Sequence, residues 1–291
     1  MSRRGWSLFL LVGLLWGVPY LFIKVAVDPI GGFTPAAVVC IRTAIGALML
    51  LPWAIHQGSL KAALTGIKYI IPYALLEMIG PWILIGTAEQ KLSSGLSGLL
   101  VASVPFFASI FAWLRGDSSV WHHKRLFGMI VGFIGLILVV GIESIQGSAD
   151  PLSIAMILLA SVGYAYAVMY VQGKLPGVSG VAINGVAMLI TAIFYAPITV
   201  ATWPDHSLKV SSILAVIALG IFSSGFAFAI FFTLVTIIDV ARASLVTYLN
   251  TAFAVVLGVI VLGEPLTIGI VLGLPLVLVG SYFASRKENH A

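Results

Sequence analysis

Between Trp6 and Ala26 the chain reads WSLFLLVGLLWGVPYLFIKVA, apolar on all sides of any helix it forms rather than along one stripe. About 20 such residues are what a helix needs to cross the hydrocarbon core of a bilayer. The pattern recurs, and ten runs are predicted as spans, near 6 to 26, 34 to 55, 68 to 88, 93 to 114, 125 to 142, 151 to 171, 180 to 201, 211 to 234, 240 to 262 and 266 to 285. Turn chemistry separates them: Asp28-Pro29 with Gly31-Gly32, Gln57-Gly58-Ser59, Gly147 to Pro151, Leu175-Pro176-Gly177 and Trp203-Pro204-Asp205. No interval exceeds about a dozen residues, which leaves no room for a soluble domain. The first run has the basic start of a secretory signal, but its length, Trp16, Pro19 and the lack of a small-x-small cleavage site mark a retained span.

Composition strengthens this reading. The chain is 60% hydrophobic and 9% charged, with a mean hydropathy of +1.14, whereas soluble domains carry about 25% charged residues. A net charge of +5 would suggest nucleic acid in a soluble chain. In a membrane protein the information lies in where each cation falls. With the N-terminus in the cytoplasm, Arg3, Arg4, Lys61, Lys68, Arg115, Lys124, Arg125, Lys174, Arg242, Arg286 and Lys287 are inside, against Lys24, Lys91 and Lys209 at the outer face. That bias orients both termini inward. Trp6, Trp53, Trp113, Trp121, Trp203 and Tyr282 fall near span ends, as an interfacial belt would. Cys40 is the single cysteine and its neighbours are apolar, which argues against redox chemistry.

The chain also echoes itself. Tyr73 to Asp117 aligns with Gly220 to Glu264 at an offset of 146 or 147, so that Ser97 meets Ser244 and Gly116-Asp117 meets Gly263-Glu264. LLWGVPY (14 to 20) matches LLASVGY (158 to 164), and GMIVG (128 to 132) matches GIVLG (269 to 273). Residues 1–146 and 147–291 then hold five spans each, and an odd number makes the second half enter the membrane from the opposite side. The expected fold is an all-α integral membrane protein of ten transmembrane helices, built as two inverted five-helix repeats. Many secondary transporters share that architecture, with the binding site near the midplane between the halves.

LLWG in the first span, Lys24 at its end, Arg42 in the second, Pro105 in the fourth and SLVTYLNTAFAVVLGVIVLGEPLT resemble the EamA family of the drug/metabolite transporter superfamily. The resemblance covers the whole chain, and within the superfamily it is most similar to the YddG-type exporters of aromatic and other amino acids. Two positions depart from the family pattern: Arg115-Gly116-Asp117 stands for Gly-Glu in the first half, and Thr251 stands where Pro is common. The resemblance implies an inner-membrane exporter whose pathway is lined by spans 1, 3, 4, 6, 8 and 9.

The residues themselves supply candidates for that pathway. Glu77 lies mid-span in PYALLEMIGPW, and an ionised carboxylate there costs several kcal/mol in lipid, so it should face a polar cavity, hydrogen-bond a partner or stay protonated. The repeat places Ser223 or Ser224 at the equivalent point of span 8. Arg42, about nine residues into span 2, either snorkels, pairs with a carboxylate or carbonyl, or gates a ligand. Glu77 and Arg42 are the candidates for a proton carrier or an ion pair. Mid-span rings at Trp16, Tyr20, Trp82, Tyr164, Tyr166, Phe226, Phe228 and Tyr248 serve packing or wall a cavity for large apolar substrates. Tyr73, Ser97 and Asn250 complete the substrate-pathway set. Pro19, Pro81, Pro105 and Pro275 should kink their helices. Gly128-x-x-x-Gly132 and Gly269-x-x-x-Gly273 are close-packing motifs, serving intramolecular packing or a dimer.

His122 and His123 lack the companions a metal site needs, no Walker A sequence occurs, and no His-Glu-x-x-His or Gly-x-Ser-x-Gly pattern points to a hydrolase. The chain is expected to need no cofactor and no metal. Its expected partners are the lipid bilayer and a small-molecule substrate, amino acids first, with no nucleic acid. A multidrug exporter of lipophilic cations is the alternative, and an intramembrane enzyme or structural subunit the remote one. Gly263-Glu264-Pro265 reads as a turn at the outer surface, with Glu264 beside the N-terminal end of span 10 and Thr267 as that helix's cap.

Overall fold

The computed structural model describes residues 2–116, 123–145, 150–238, 243 and 246–285, and every regular element among them is helical. Ten segments succeed one another: α1 (Arg3–Ala26), α2 (Pro35–His56), α3 (Ile67–Ala88), α4 (Ser94–Leu114), α5 (His123–Ile145), α6 (Pro151–Lys174), α7 (Gly180–Ala201), α8 (Val210–Ile237), α9 (Val246–Leu262) and α10 (Ile268–Ser285). Seven are long and apolar enough to cross a membrane. The other three, α5, α9 and α10, carry the shorter apolar stretches Leu126–Val140, Val246–Leu262 and Ile268–Gly280. This is a multi-pass membrane protein. A short helix, Leu60–Thr65, fills the α2–α3 connection beyond the turn that the sequence predicts there. Asp117, Trp121, His122, Arg242, Ser244, Arg286 and Lys287 lie outside the described residues.

Helix starts obey local chemistry. The side chains of Ser2, Thr34, Ser93 and Asp150 each accept from an amide three residues on, and proline comes after Thr34 and Asp150 at a position where its missing N–H costs nothing. Thr267 accepts from Ile270 N at 3.2 Å, the capping role expected of it.

The helices pack in matched pairs. α1 lies on α9 as α6 lies on α4, α1 on α8 as α6 on α3, and α2 on α8 as α7 on α3; α2 also packs along α7, and α5 along α10. The α5–α10 pair is joined through glycines. A Cβ on Gly280 would collide with the backbone N and Cα of Gly132, and one on Gly273 would stand 3.0 Å from the Gly135 carbonyl. Gly132 and Gly273, the last glycine of each Gly-x-x-x-Gly motif, therefore pack within the chain. Three apolar clusters form the interior among the described residues, and Tyr164 packs against the two larger ones.

Polar ties between helices concentrate at the end of the bundle that carries the α1–α2, α3–α4 and α9–α10 turns. Lys91 Nζ reaches Asp150 Oδ1 at 3.2 Å, and Lys209 Nζ reaches Asp28 Oδ2 at 3.1 Å. Asp28 Oδ1 accepts from the amides of Ile30 at 2.8 Å and Gly31 at 3.2 Å. The Ile30 amide foremost, then the Lys209 hydrogen bond, holds the Asp28 carboxyl below the usual carboxylate range. A carboxyl with a lowered folded value stabilises the fold above its unfolded pKa and loses that contribution as pH falls through the folded one. Asp28→Asn is expected to melt lower than wild type at neutral pH, with the gap closing as the medium is acidified through that lowered value. Melting curves whose gap widens in acid would contradict this.

Candidate functional site

Three helices lose regular winding near mid-length: α4 breaks at Ala102-Ser103, just before Pro105, and two others widen. α3 widens to π geometry over Leu75–Ile79, and α8 over Leu219–Phe226. Pro81 explains the first: it has no N–H, and its ring crowds the carbonyl four residues back, at Glu77, so the Gly80 amide bonds the Leu75 carbonyl five residues back instead. Neighbouring helices accommodate the widened turn. Tyr195 of α7 donates to the Ile79 carbonyl at 2.7 Å, and a Cβ on Gly163 of α6 would stand 2.7 Å from the Leu76 carbonyl. In α8 the widening runs through Ser223-Ser224-Gly225, the Ser and Gly chemistry that tolerates such departures. The windings carry Glu77 in one helix and the Ser223-Ser224 pair in the other, the positions that the internal alignment sets opposite each other.

Arg42 of α2 lies between these two windings. Its side chain is buried (5% exposed), its guanidinium carbon sits 3.8 Å from the centre of the Trp82 ring of α3, and its Nε donates to Ser224 Oγ of α8 at 3.2 Å. Planar guanidinium over indole is a favourable pairing away from water. Tyr164 of α6 and Tyr20 of α1 are within electrostatic reach of this cation, and a Cβ on Gly98 of α4 would meet the Tyr20 ring at 3.3 Å. Five helices thus contribute to one buried cluster of a cation, three rings and a hydroxyl.

Glu77 does not pair with Arg42 in this arrangement. Tyr73 and Tyr164 are within electrostatic reach of it instead, and its Oε2 is buried without a hydrogen-bond partner. Tyr73 donates to Asn184 Oδ1 of α7 at 3.0 Å. A second carboxylate, Glu89, comes directly after the last residue of α3. It is 0% exposed, and neither of its oxygens has a hydrogen-bond partner. Lys24 Nζ, close by, is taken by the carbonyls of Glu89 at 2.7 Å and Leu92 at 2.8 Å, while the Ser97 hydroxyl that faces Glu89 donates to the Ser93 carbonyl at 3.0 Å.

Glu264 corrects an expectation. Rather than serving the start of α10, its carboxylate caps α4, accepting from Ser94 N at 2.7 Å, Ser94 Oγ at 2.8 Å and Gly95 N at 3.2 Å. α10 has its own cap in Thr267, and the α4 N-terminus is reached because Gly95 and Gly258 let α4 and α9 approach closely.

Of the sequence candidates, Tyr20, Arg42, Tyr164 and Ser224 come together, with Glu77 and Tyr73 adjoining them. Ser223 is buried beside Ser224, with its hydroxyl unpartnered. Ser97 faces Glu89. Four others stand apart. Trp16 packs on Phe228 and Phe231, Tyr248 on Tyr282, and Asn250 Oδ1 accepts from Thr251. Phe226 is 46% exposed and lies beside Phe222, also exposed. Sequence reasoning offers Trp82 only as one mid-span ring among eight, and it misses Asn184 and Glu89. Glu89 lies seven residues after Trp82, two turns along the same face, and that spacing is its one signal.

The chain matches the model of the EamA-like transporter family twice, over residues 3–141 and 151–286. It is 26% identical to the uncharacterized inner membrane transporter YedA of Escherichia coli K12, covering 94% of this chain and 90% of that protein. Identity is 23% to an uncharacterized transporter of Clostridium kluyveri, over 99% of this chain and 96% of the relative. The uncharacterized transporter YoaV of Bacillus subtilis is also 23% identical, with 95% and 96% covered. One solved structure superposes with a TM-score of 0.69 at 16% identity, over 98% of this chain and 97% of the other, which shows a shared fold.

Proposed function

The chain belongs to the EamA-like transporter family, and from that premise we propose that it exports amino acids, aromatic ones included, and related small metabolites across a bacterial inner membrane. The process is secondary, without ATP, and works by alternating access. The halves 1–146 and 147–291 act as inverted five-helix repeats with both termini in the cytoplasm, a reading supported by the matched helix pairs and by the two windings at corresponding points.

The observation that carries the substrate class is the buried Arg42 cluster beside Glu77. A fixed cation against an indole offers a site for a carboxylate and an aromatic face, and the unpartnered Glu77 Oε2 offers one for an ammonium. An amino-acid zwitterion presents those groups together. A lipophilic cation would profit from Glu77 and the rings but would meet Arg42 in the same layer, so drug export ranks second. Enzymatic chemistry finds no support in the relatives, which carry transporter names.

The test is flux of labelled phenylalanine and threonine in proteoliposomes, with and without a pH gradient. Glu77→Gln is expected to raise the half-saturating phenylalanine concentration about tenfold, since a hydrogen bond to a charged group is worth about 1.5–3 kcal/mol and roughly 1.4 kcal/mol is a factor of ten. An unchanged value would remove Glu77 from the ammonium site. Absence of flux for every amino acid would remove the substrate class.

A further inference from the structure

The α3–α4 turn, TAEQKLSSG, looks like an ordinary polar connection in the sequence, yet its Glu89 is more deeply buried than the mid-span Glu77. Four elements bring charged or polar groups within electrostatic reach of it. α1 brings Lys24 and Tyr20, α2 brings Arg42, α4 brings Ser97, and the turn after α9 brings Glu264. Only Ser97 stands where it could donate to the carboxyl group, and its single hydroxyl proton goes to the Ser93 carbonyl, so both carboxyl oxygens are left without a partner. Lys24 is spent on two carbonyls, Ser97 on a third, Arg42 on Ser224 and Trp82, and Glu264 on the start of α4. A carboxylate left in this state, closed off from water and given no donor, is costly, whereas the neutral acid is far less so. The same contacts that shut this end of the bundle, Lys24 on the α3 terminus and Glu264 on α4, also shut Glu89 away. Opening that end would wet it.

We propose that Glu89 is a proton-binding site that couples transport to the pH gradient: closure at the Lys24–Glu264 end requires its protonation, and opening releases it. The inference rests on the transporter reading above. When the end is open, water exchanges a proton with a Glu89 carboxylate oxygen, forming or breaking one O–H bond. When it is shut, the neutral acid is carried with the closed state.

Two measurements on the full-length protein test this. In proteoliposomes, the ratio of labelled phenylalanine or threonine flux with a pH gradient to flux without one is expected to be several-fold for wild type. It should be about one for Glu89→Gln and remain several-fold for Glu89→Asp, which keeps a carboxyl group. A wild-type ratio in Glu89→Gln, or a ratio of one in wild type itself, overturns the proposal. The second measurement needs no substrate, so it decides the matter even if neither amino acid is carried. Infrared difference spectra across a pH step should show a carboxylic-acid C=O band in wild type that Glu89→Gln lacks. A band that survives in Glu89→Gln, or vanishes only in Glu77→Gln, overturns it. Lack of amino-acid flux combined with the Glu89 band would reject the substrate class alone.

Discussion

Arg42→Lys is expected to lose well over tenfold of its phenylalanine flux while remaining folded. The substitution keeps the charge but removes what holds it in place. A lysine ammonium cannot lie flat on the Trp82 ring as the guanidinium does at 3.8 Å, and it lacks the Nε that donates to Ser224 at 3.2 Å. A desolvated cation–π contact is worth roughly 2 kcal/mol and a charged hydrogen bond roughly 1.5 kcal/mol or more, so losing both amounts to roughly three-hundredfold in a rate or affinity. Arg42 ties α2 to both widened helices, so the loss should appear in binding and in the conformational step alike. Flux and size-exclusion profiles of the two proteins provide the check. A folded Arg42→Lys protein with wild-type flux would show that the guanidinium only packs.

The largest expected effect on stability lies far from that site. Gly280→Val places a branched side chain where even a Cβ would collide with the backbone of Gly132 and sit 2.7 Å from the Gly128 carbonyl. Backbone atoms cannot rotate away, so α5 and α10 must separate. In a membrane, where close van der Waals contact rather than hydrophobicity joins helices, that removes most of what holds the pair. Overpacking a tight interior costs about 1–3 kcal/mol, and forced separation along a whole helix pair should exceed the upper figure. A clear drop in melting temperature, read by tryptophan fluorescence, and a several-fold fall in folded yield are expected. Gly173→Ala serves as the control, since an added Cβ there meets nothing within 4 Å. Equal melting of both variants would mean that the glycine contact contributes little.

The sequence is informative wherever the cause is local. Apolar runs locate the helices, three of them as shorter stretches, and Thr34-Pro35, Ser93 and Asp150-Pro151 mark starts that are capped as their chemistry dictates. Glu77 and Arg42 stand out because charge within a span is rare. Features set by contacts between distant segments escape such reading. Glu89 passes for a loop residue because the charged groups around it, Lys24, Glu264 and Arg42, are each far away in the chain. Glu264 is read onto the wrong helix for the same reason: its partner, Ser94, lies 170 residues earlier. Phe226 points the wrong way for a different reason. It is offered only as a mid-span ring, which says nothing of the face it takes, and it closes a π segment whose winding departs from the regular helical period.

The central claim is that a substrate crosses between the two halves by alternating exposure of one site. Counterflow tests this most directly: proteoliposomes loaded with unlabelled phenylalanine are diluted into a trace of labelled phenylalanine, with no pH gradient. A carrier of this kind predicts transient accumulation of label above its equilibrium level, at least tenfold weaker in Arg42→Lys. Label that only rises to equilibrium, equally in both proteins, would contradict it.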